Sequence, residues 1–192
     1  MATVFKVEGK TIRPGKGWVD QYSVTHPANW MTYSSEKKKE LGITEIVQET
    51  PPDSRLYIWS YNDDGTVNST AKSLEDTNQV DENGDPVLDE KGDQVVTRGV
   101  KYNLKQEVKN QQGSLLSQTD WCIIRKADKG IVIPDNIQTW RDAIRTKATE
   151  MEAAIDNAAD TDAVAALFLT YTTNEDGSQT KSGILYDWPE ID

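Results

Sequence analysis

The chain has 192 residues, of which 36% are hydrophobic, and 32 acidic against 21 basic side chains give it a net charge of −11. This length suffices for one substantial core or two small ones, and six tryptophans with seven tyrosines argue against disorder throughout. The negative charge disfavours nucleic acid and anionic membranes as partners, because binding to either depends on clustered Lys and Arg.

Cysteine content and hydropathy bear on where the protein folds. Cys122 is the single cysteine, so an internal disulfide is excluded and a reducing cytoplasm is the expected place of folding. The first ten residues lack the apolar stretch of a signal peptide. The longest apolar run, 163–169, is far shorter than the ~20 residues that cross a bilayer. We therefore expect a protein that is made and retained in water.

The first hundred residues predict short strands separated by turns. A short helix is expected near residues 34–41, because Ser34 or Ser35 can cap its start and Gly42 suits the position after its end. The Asn-Asp-Asp-Gly sequence at 62–65 predicts a hairpin turn. Strands are expected where apolar and β-branched residues alternate or cluster: 4–7, 43–47 and 55–61.

A local repeat follows these strands. Residues 81–87 and 89–95 share the pattern Asp-Glu-x-Gly-Asp-x-Val, which predicts two successive turns with glycine at positive φ. The oxygens of Asp81, Asn83 and Asp85 also resemble a calcium loop. In that register the glycine comes too early and the closing glutamate is missing. Turn formation is therefore the preferred interpretation.

From residue 100 onward the apolar spacing becomes helical. The first stripe recurs four or seven positions apart: Val100, Leu104, Val108 and Leu115. A second stripe keeps close to the ~3.6-residue helical repeat: Ile137, Trp140, Ile144, Ala148, Met151 and Ile155. Pro134 and Asp135 suit the first turn of this second helix. Two long amphipathic helices are therefore expected.

The segment between the two helices predicts a small hairpin. Short apolar runs at 122–124 and 131–133 flank a Lys-Gly pair, and Trp121 is expected to plug the turn between the helices. After the second helix we expect a further short helix. A hairpin turn is then predicted at 174–177, ahead of the Asp-Trp-Pro tail at 187–189.

Together these elements predict an α+β fold. Region 1–98 is expected to be rich in strands and turns, and region 99–192 to form an antiparallel helical hairpin followed by a short β-hairpin. One α+β unit with a seam near residue 99 is preferred, and two domains are the alternative. The helical hairpin is expected to share one core: Leu104, Val108, Leu115, Trp121, Ile137, Trp140, Ile144, Met151 and Ile155.

No catalytic or metal-binding pattern is complete. Gly-Lys-Thr at 9–11 ends like a phosphate-binding loop, but the glycine that the pattern requires is Val4 here. His26 and Cys122 are the sole members of their residue types, so a zinc site lacks ligands. Cys122 lies in an apolar run and is expected to be buried rather than nucleophilic. We therefore predict no enzyme activity, no metal and no cofactor.

Several sequence blocks occur in an informative order. They are 26–30 (His-Pro-Ala-Asn-Trp) with the short helix at 35–42 and Ile43, 52–57 (Pro-Asp-Ser-Arg-Leu-Tyr), 115–121 with Arg125 and Pro134, 140–145 (Trp-Arg-Asp-Ala-Ile-Arg), and 187–189 (Asp-Trp-Pro). This order resembles tail-fibre assembly and tail-fibre-associated proteins of tailed bacteriophages. The chain departs from that pattern where Arg141 follows Trp140 directly and where residues 150–162 lengthen the second helix.

The resemblance implies a non-enzymatic phage tail protein that binds tail fibres and helps attach or assemble them. It would be a structural component of the virion tail, assembled in the host cytoplasm. The alternatives are a transient fibre chaperone absent from the mature particle, a head or neck structural protein, and a tail-borne hydrolase. Tail-fibre or other tail proteins are the expected partners, and a homo-oligomer is left open; nucleic acid and membranes are not expected.

Partner contacts are expected among aromatic and arginine side chains outside the helical stripe, because such residues dominate interface energies. Two of them, Arg141 and Arg145, could instead bridge to the chain's own carboxylates. The apolar stripe itself is expected to be core, so the residues that carry the resemblance are not expected to touch the partner. The candidate contact residues are Trp18, Trp30, Trp59, Trp188, Arg141 and Arg145.

Overall fold

The structure is a computed structural model that describes residues 2–191. The chain divides into two compact units, with the division between Ala71 and Lys72. We call residues 2–71 unit 1 and residues 72–191 unit 2. The α+β class is confirmed, because strands dominate the N-terminal part while a helical hairpin and then a β-hairpin follow.

Unit 1 is built from short antiparallel strands. Its elements are β1 (Thr3–Val7), β2 (Lys10–Ile12), β3 (Trp18–Val19), β4 (Thr25–His26), a 3-10 turn (Trp30–Thr32), α1 (Ser35–Glu40), β5 (Thr44–Val47), β6 (Tyr57–Tyr61) and β7 (Val67–Ala71). β1 is the central strand of a sheet in the order β2-β1-β5. β3 pairs with β4, and β6 pairs with β7 across the predicted turn at 62–65.

The core of unit 1 forms around a tryptophan. Alternation along β1 turns Phe5 and Val7 inward, where they meet Ile12 and Trp30. Trp30 is 0% exposed. Its ring meets Phe5 edge-to-face at 5.2 Å, and its indole N–H donates to the carbonyl of Lys16 at 2.9 Å. Trp30 is therefore the centre of a core and its one polar atom is satisfied.

The short helix begins and ends as its sequence predicts. The hydroxyl of Ser34 accepts a hydrogen bond from the amide of Lys37 at 3.2 Å, so Ser34 rather than Ser35 is the N-cap. Gly42 follows the helix with φ of 67°, a left-handed conformation that costs glycine little.

Unit 2 contains the long helices. Its elements are β8 (Thr77–Asn78), β9 (Val96–Thr97), α2 (Val100–Ser117), α3 (Asp120–Lys129), α4 (Asp135–Asn157), α5 (Thr161–Leu167), β10 (Thr170–Thr173) and β11 (Gln179–Ser182). α2 and α4 pack antiparallel. Lys105, early in α2, pairs with Asp156 late in α4 at 2.6 Å, while Arg141 in α4 reaches the end of α2.

The helical periodicity predicts most of the α2–α4 core correctly. Leu104, Val108, Trp140, Ile144, Met151 and Ile155 are buried. Leu115 and Ile137 are half-buried, because both lie near helix ends. The expectation for Trp121 is wrong: its side chain is 53% exposed and does not plug the turn.

The predicted hairpin between the long helices is also wrong. Residues 120–129 form α3, and Gly130 ends this helix as a left-handed cap with φ of 68°. The apolar run at 122–124 is too short for its periodicity to separate strand from helix. A glycine at positive φ suits a hairpin turn and a helix end alike, and here it ends a helix.

The two repeated turns form as predicted. Asp81 accepts hydrogen bonds from the amides of Asn83 and Asp85, both at 2.9 Å. Asp89 accepts in the same way from the amides two and four residues later. Each aspartate therefore stabilises its own turn, which accounts for the repeat.

The division between the units falls earlier than the predicted seam near residue 99. The first two amides of α2 donate to the carbonyls of Ser73 and Leu74, each at 3.0 Å. The amide of Gly99 donates to the Asp76 carboxylate at 2.8 Å. A side chain at Gly99 would lie 2.4 Å from the carbonyl oxygen of Leu74, so the close approach requires glycine. The segment before α2 thus caps this helix and belongs to unit 2.

Candidate protein-binding site

The tryptophans of unit 1 differ in accessibility. Trp30 is inside the core, so it is not available to a partner in this fold. Trp18 is half-buried and stacks on His26 with ring centroids 4.1 Å apart. Trp59 is half-buried on β6 with its ring 5.4 Å from that of Tyr61. Trp18 and Trp59 are therefore partly accessible, each against an aromatic neighbour.

His26 is buried and held by a carboxylate. Its Nε2 atom lies 3.2 Å from Oδ2 of Asp20. The pKa of Asp20 is lowered, chiefly because the amide of Val24 donates to its carboxylate and also because His26 contacts it. The Asp20 carboxylate therefore organises the β3–β4 turn.

Arg141 is buried and hydrogen-bonded within unit 2, whereas partner contact is expected to need an exposed position. It is 5% exposed. Its Nη1 atom donates to the carbonyl of Leu116 and to the hydroxyl of Thr119, both at 2.7 Å, and Nη2 donates to Asp120 at 2.9 Å. Arg141 therefore joins α4 to the end of α2 and the start of α3. The alternative of bridging to the chain's own groups is the one the structure adopts.

Arg145 lies one helical turn further along α4 and is exposed. It pairs with Asp142 at 2.8 Å, three residues earlier on the same helix. Exposed pairs of this kind are weak. Arg145 is therefore accessible to a partner.

The C-terminal tail packs on the long helices through its aromatic residues. The indole N–H of Trp140 donates to the carbonyl of Pro189 at 2.9 Å. The indole N–H of half-buried Trp188 donates to Gln111 at 2.7 Å. Tyr186 donates from its hydroxyl to Glu107, also at 2.7 Å. Trp188 is thus mainly an attachment of the tail to α2.

Sequence blocks that are distant in the chain therefore contact one another in unit 2. Thr119 and Asp120 of one block bind Arg141 of the next, and Trp140 binds Pro189 of the last. These side chains thus hold the helical hairpin together. Trp121 is different, because it lies in the same block and is exposed.

Trp121 belongs to an exposed apolar surface formed by α3 and the residues that follow it. Cys122 is the buried residue of α3, and the large apolar residues beside it face solvent. We define the α3 surface by its exposed apolar residues: Trp121, Ile123, Ile124, Ile131 and Val132. Four of these five fall in the hairpin strands that the sequence predicts. The Lys-Gly pair at 129–130, if interpreted as a helix end, would have predicted a helix here in place of the first of these strands.

Among the described residues, the carboxyl groups with a shifted pKa accept hydrogen bonds in turns and near helix starts. Carboxyl groups whose pKa departs clearly from the ordinary value are shifted downward, because amide or hydroxyl donors stabilise the carboxylate: Asp20, Glu36, Asp64, Asp76, Asp81 and Asp176. A general acid requires the opposite shift of its pKa.

The described residues contain neither a candidate metal centre nor a candidate membrane-spanning helix. Within residues 2–191, His, Cys, Asp and Glu form no group of three or more that could hold a metal ion. The helices of the same residues include none with the length and apolar character needed to cross a membrane.

Comparison of the chain with protein-family models, with curated proteins and with solved structures finds no match.

Proposed function

We propose that this chain is a non-enzymatic bacteriophage tail protein that binds tail-fibre proteins and helps to attach or assemble them. The observation that carries the proposal is the set of contacts joining the sequence blocks of unit 2. Arg141 donates to Leu116, Thr119 and Asp120, and Trp140 donates to Pro189. The residues that carry the resemblance are therefore in contact with one another, which is expected if the resemblance reflects a common module.

The properties of the surface support binding rather than chemistry. Carboxylates such as Asp76 and Asp81 are occupied by backbone amides, so they stabilise turns and a helix end. Large apolar side chains are exposed on the α3 surface, which is typical of a protein that is covered by a partner. A permanent position in the virion tail is the preferred version, with assembly in the host cytoplasm.

The test is to locate the chain in mature particles of the phage that encodes it. A peptide tag inserted in the exposed turn at 174–177 would be imaged with an antibody on purified virions. The same tag placed in the turn at 89–92 is the matched control, since both turns are exposed and both belong to unit 2. We expect label at the tail from both positions.

The other outcomes separate the alternatives. Absence from mature particles, together with binding of the free chain to the purified tail-fibre protein, would indicate a transient assembly chaperone. Label at the head or neck would contradict a tail position. Failure of the purified chain to bind any tail protein of that phage would refute the proposal as a whole.

A further inference from the structure

α3 is an amphipathic helix whose apolar side faces solvent. Trp121 and Ile124 are three residues apart, and Ile123 and Ala127 are four apart, so each pair shares a side of the helix. Ile124 is 67% exposed. With ten residues α3 spans about 15 Å. A helix of this kind normally buries its apolar side, and this one does not do so within unit 2.

The apolar exposure is concentrated on this short stretch. Among the described residues, five of the exposed large hydrophobic side chains lie between positions 121 and 132. Val132, which follows α3, is 74% exposed. Isolated exposed apolar residues are ordinary on protein surfaces, whereas a concentration of them marks an interaction site.

The charges of α3 indicate what kind of surface covers it. Arg125, Lys126 and Lys129 make no ion pair with any residue that the structure describes. Elsewhere between residues 100 and 167 every basic side chain is in an ion pair: Lys101, Lys105, Lys109, Arg141, Arg145 and Lys147. Asp120 is already engaged by Arg141, so Asp128, four residues after Ile124, is the one acidic side chain of α3 without an ion pair among the described residues, against three basic ones. α3 is thus locally cationic on a chain of net charge −11, and an acidic surface complements it.

Trp121 and Arg125 form the most specific feature of this surface. The Arg125 guanidinium lies 4.8 Å from the centroid of the Trp121 ring. The Nε atom of Arg125 is buried without an acceptor among the described residues. Tryptophan and arginine are the residue types most enriched at the energetic centre of interfaces. The stacked pair holds the large indole ring in place before a partner arrives.

We propose that α3, with Ile131 and Val132, docks into an apolar groove with an acidic rim on a partner tail protein. The inference rests on the proposed function, and it names the surface and the chemistry of the partner. A convex amphipathic helix fits a groove, as in other helix-in-groove complexes. A second copy of the chain is disfavoured, because symmetric pairing of this surface would bring Arg125, Lys126 and Lys129 of both copies together.

The first test changes one apolar side chain. Ile124→Asp in the full chain is compared with wild type for binding to the purified tail-fibre protein of the same phage, by titration calorimetry. The matched control is Ile58→Asp, because Ile58 on β6 is 66% exposed and Ile124 is 67% exposed. We expect Ile124→Asp to weaken binding by about thirtyfold or more and Ile58→Asp to change it by less than about twofold.

The second test concerns the acidic rim. The double variant Lys126→Glu, Lys129→Glu is compared with the double variant Lys10→Glu, Lys91→Glu. The second variant changes the net charge by the same amount, at exposed lysines that form no ion pair within the described residues. We expect the α3 pair to lose about tenfold in affinity at low salt and to have a weaker salt dependence. Equal losses for both pairs would show an effect of total charge and overturn the acidic rim.

The remaining outcomes separate this inference from the proposed function. If wild type binds the fibre protein and folded Ile124→Asp binds equally well, the docking inference is overturned and the proposed function stands. If wild type binds no tail protein, the proposed function fails and the docking inference fails with it. If wild type dimerises and Ile124→Asp does not, the surface binds a second copy and the docking inference is overturned. If wild type binds phosphatidylglycerol vesicles and Ile124→Asp does not, the surface binds a membrane and the docking inference is likewise overturned. Circular dichroism checks that each variant remains folded.

Discussion

Arg141→Met tests whether one buried arginine holds α2, α3 and α4 together. Methionine keeps much of the length of the side chain and removes every donor. The carbonyl of Leu116 and the hydroxyl of Thr119 then lose a charged donor at 2.7 Å. Asp120 loses a partner at 2.9 Å, although its side chain is 54% exposed and can be hydrated instead.

The expected loss follows from these contacts. Hydrogen bonds from a charged donor contribute about 1.5–3 kcal/mol each, so the two to Leu116 and Thr119 amount to roughly 3–6 kcal/mol. The exposed ion pair adds at most about 1 kcal/mol. Two effects reduce the sum: methionine gains roughly 1.5–3 kcal/mol from apolar burial, and the Nε atom of Arg141 is buried without an acceptor among the described residues. We therefore expect unit 2 to lose about 2–4 kcal/mol.

Hydrogen exchange measured by mass spectrometry is the suitable assay, because it reports on α2 and α4 separately from unit 1. Arg145→Met is the matched control on the same helix, since Arg145 is exposed and its pair with Asp142 is three residues away. The control is expected to change stability by less than about 0.5 kcal/mol. A loss of under about 0.5 kcal/mol for Arg141→Met as well would refute the structural role of this side chain.

Three further predictions concern unit 2. Trp140→Phe removes the N–H that donates to Pro189, so we expect a loss of about 1 kcal/mol and faster proteolysis of the C-terminal tail, whereas unchanged cleavage would contradict the attachment. Gly99→Ala forces a side chain to within 2.4 Å of a carbonyl oxygen, and thermal unfolding should show a loss of about 1–3 kcal/mol. The pKa of Asp76 is lowered, first by the amide of Gly99 and then by Arg98, so its carboxylate stabilises the fold above its ordinary pKa and this contribution is lost as pH falls through the lowered value. The stability difference between wild type and Asp76→Asn should therefore be largest near neutral pH and shrink in acid, and a difference independent of pH would rule out the charge effect.

The long helices could be predicted because their apolar stripes are long enough to define a period. The stripe that ends at Ile155 keeps helical spacing through α4, so burial of Ile144 and Met151 follows from the pattern. The segment at 120–133 could not be predicted in the same way. Its apolar runs are short, and a strand and a helix turn fit them equally well.

The accessibility of the candidate contact residues could not be inferred from residue type. Tryptophan and arginine are enriched at interfaces, yet Trp30 and Arg141 are buried. Both find acceptors inside the fold: Trp30 donates to the carbonyl of Lys16, and Arg141 donates to the carbonyl of Leu116. Which polar groups a side chain can reach depends on segments that are 14 and 25 residues away, and no local pattern contains that information.

The sequence by itself determined the α+β class, the two long amphipathic helices, the repeated turns and a cap at Ser34 or Ser35, because each depends on short-range periodicity or local backbone geometry. The tertiary structure alone decided which blocks bind one another and which side chain they leave outside. Arg141 secures Thr119 and Asp120, while Trp121, the next residue, is exposed to solvent with Ile124. Cys122, the residue after Trp121, is buried. One helical step therefore separates a residue inside the fold from one that is accessible to a partner, and only the packing of α3 on its neighbours decides between them.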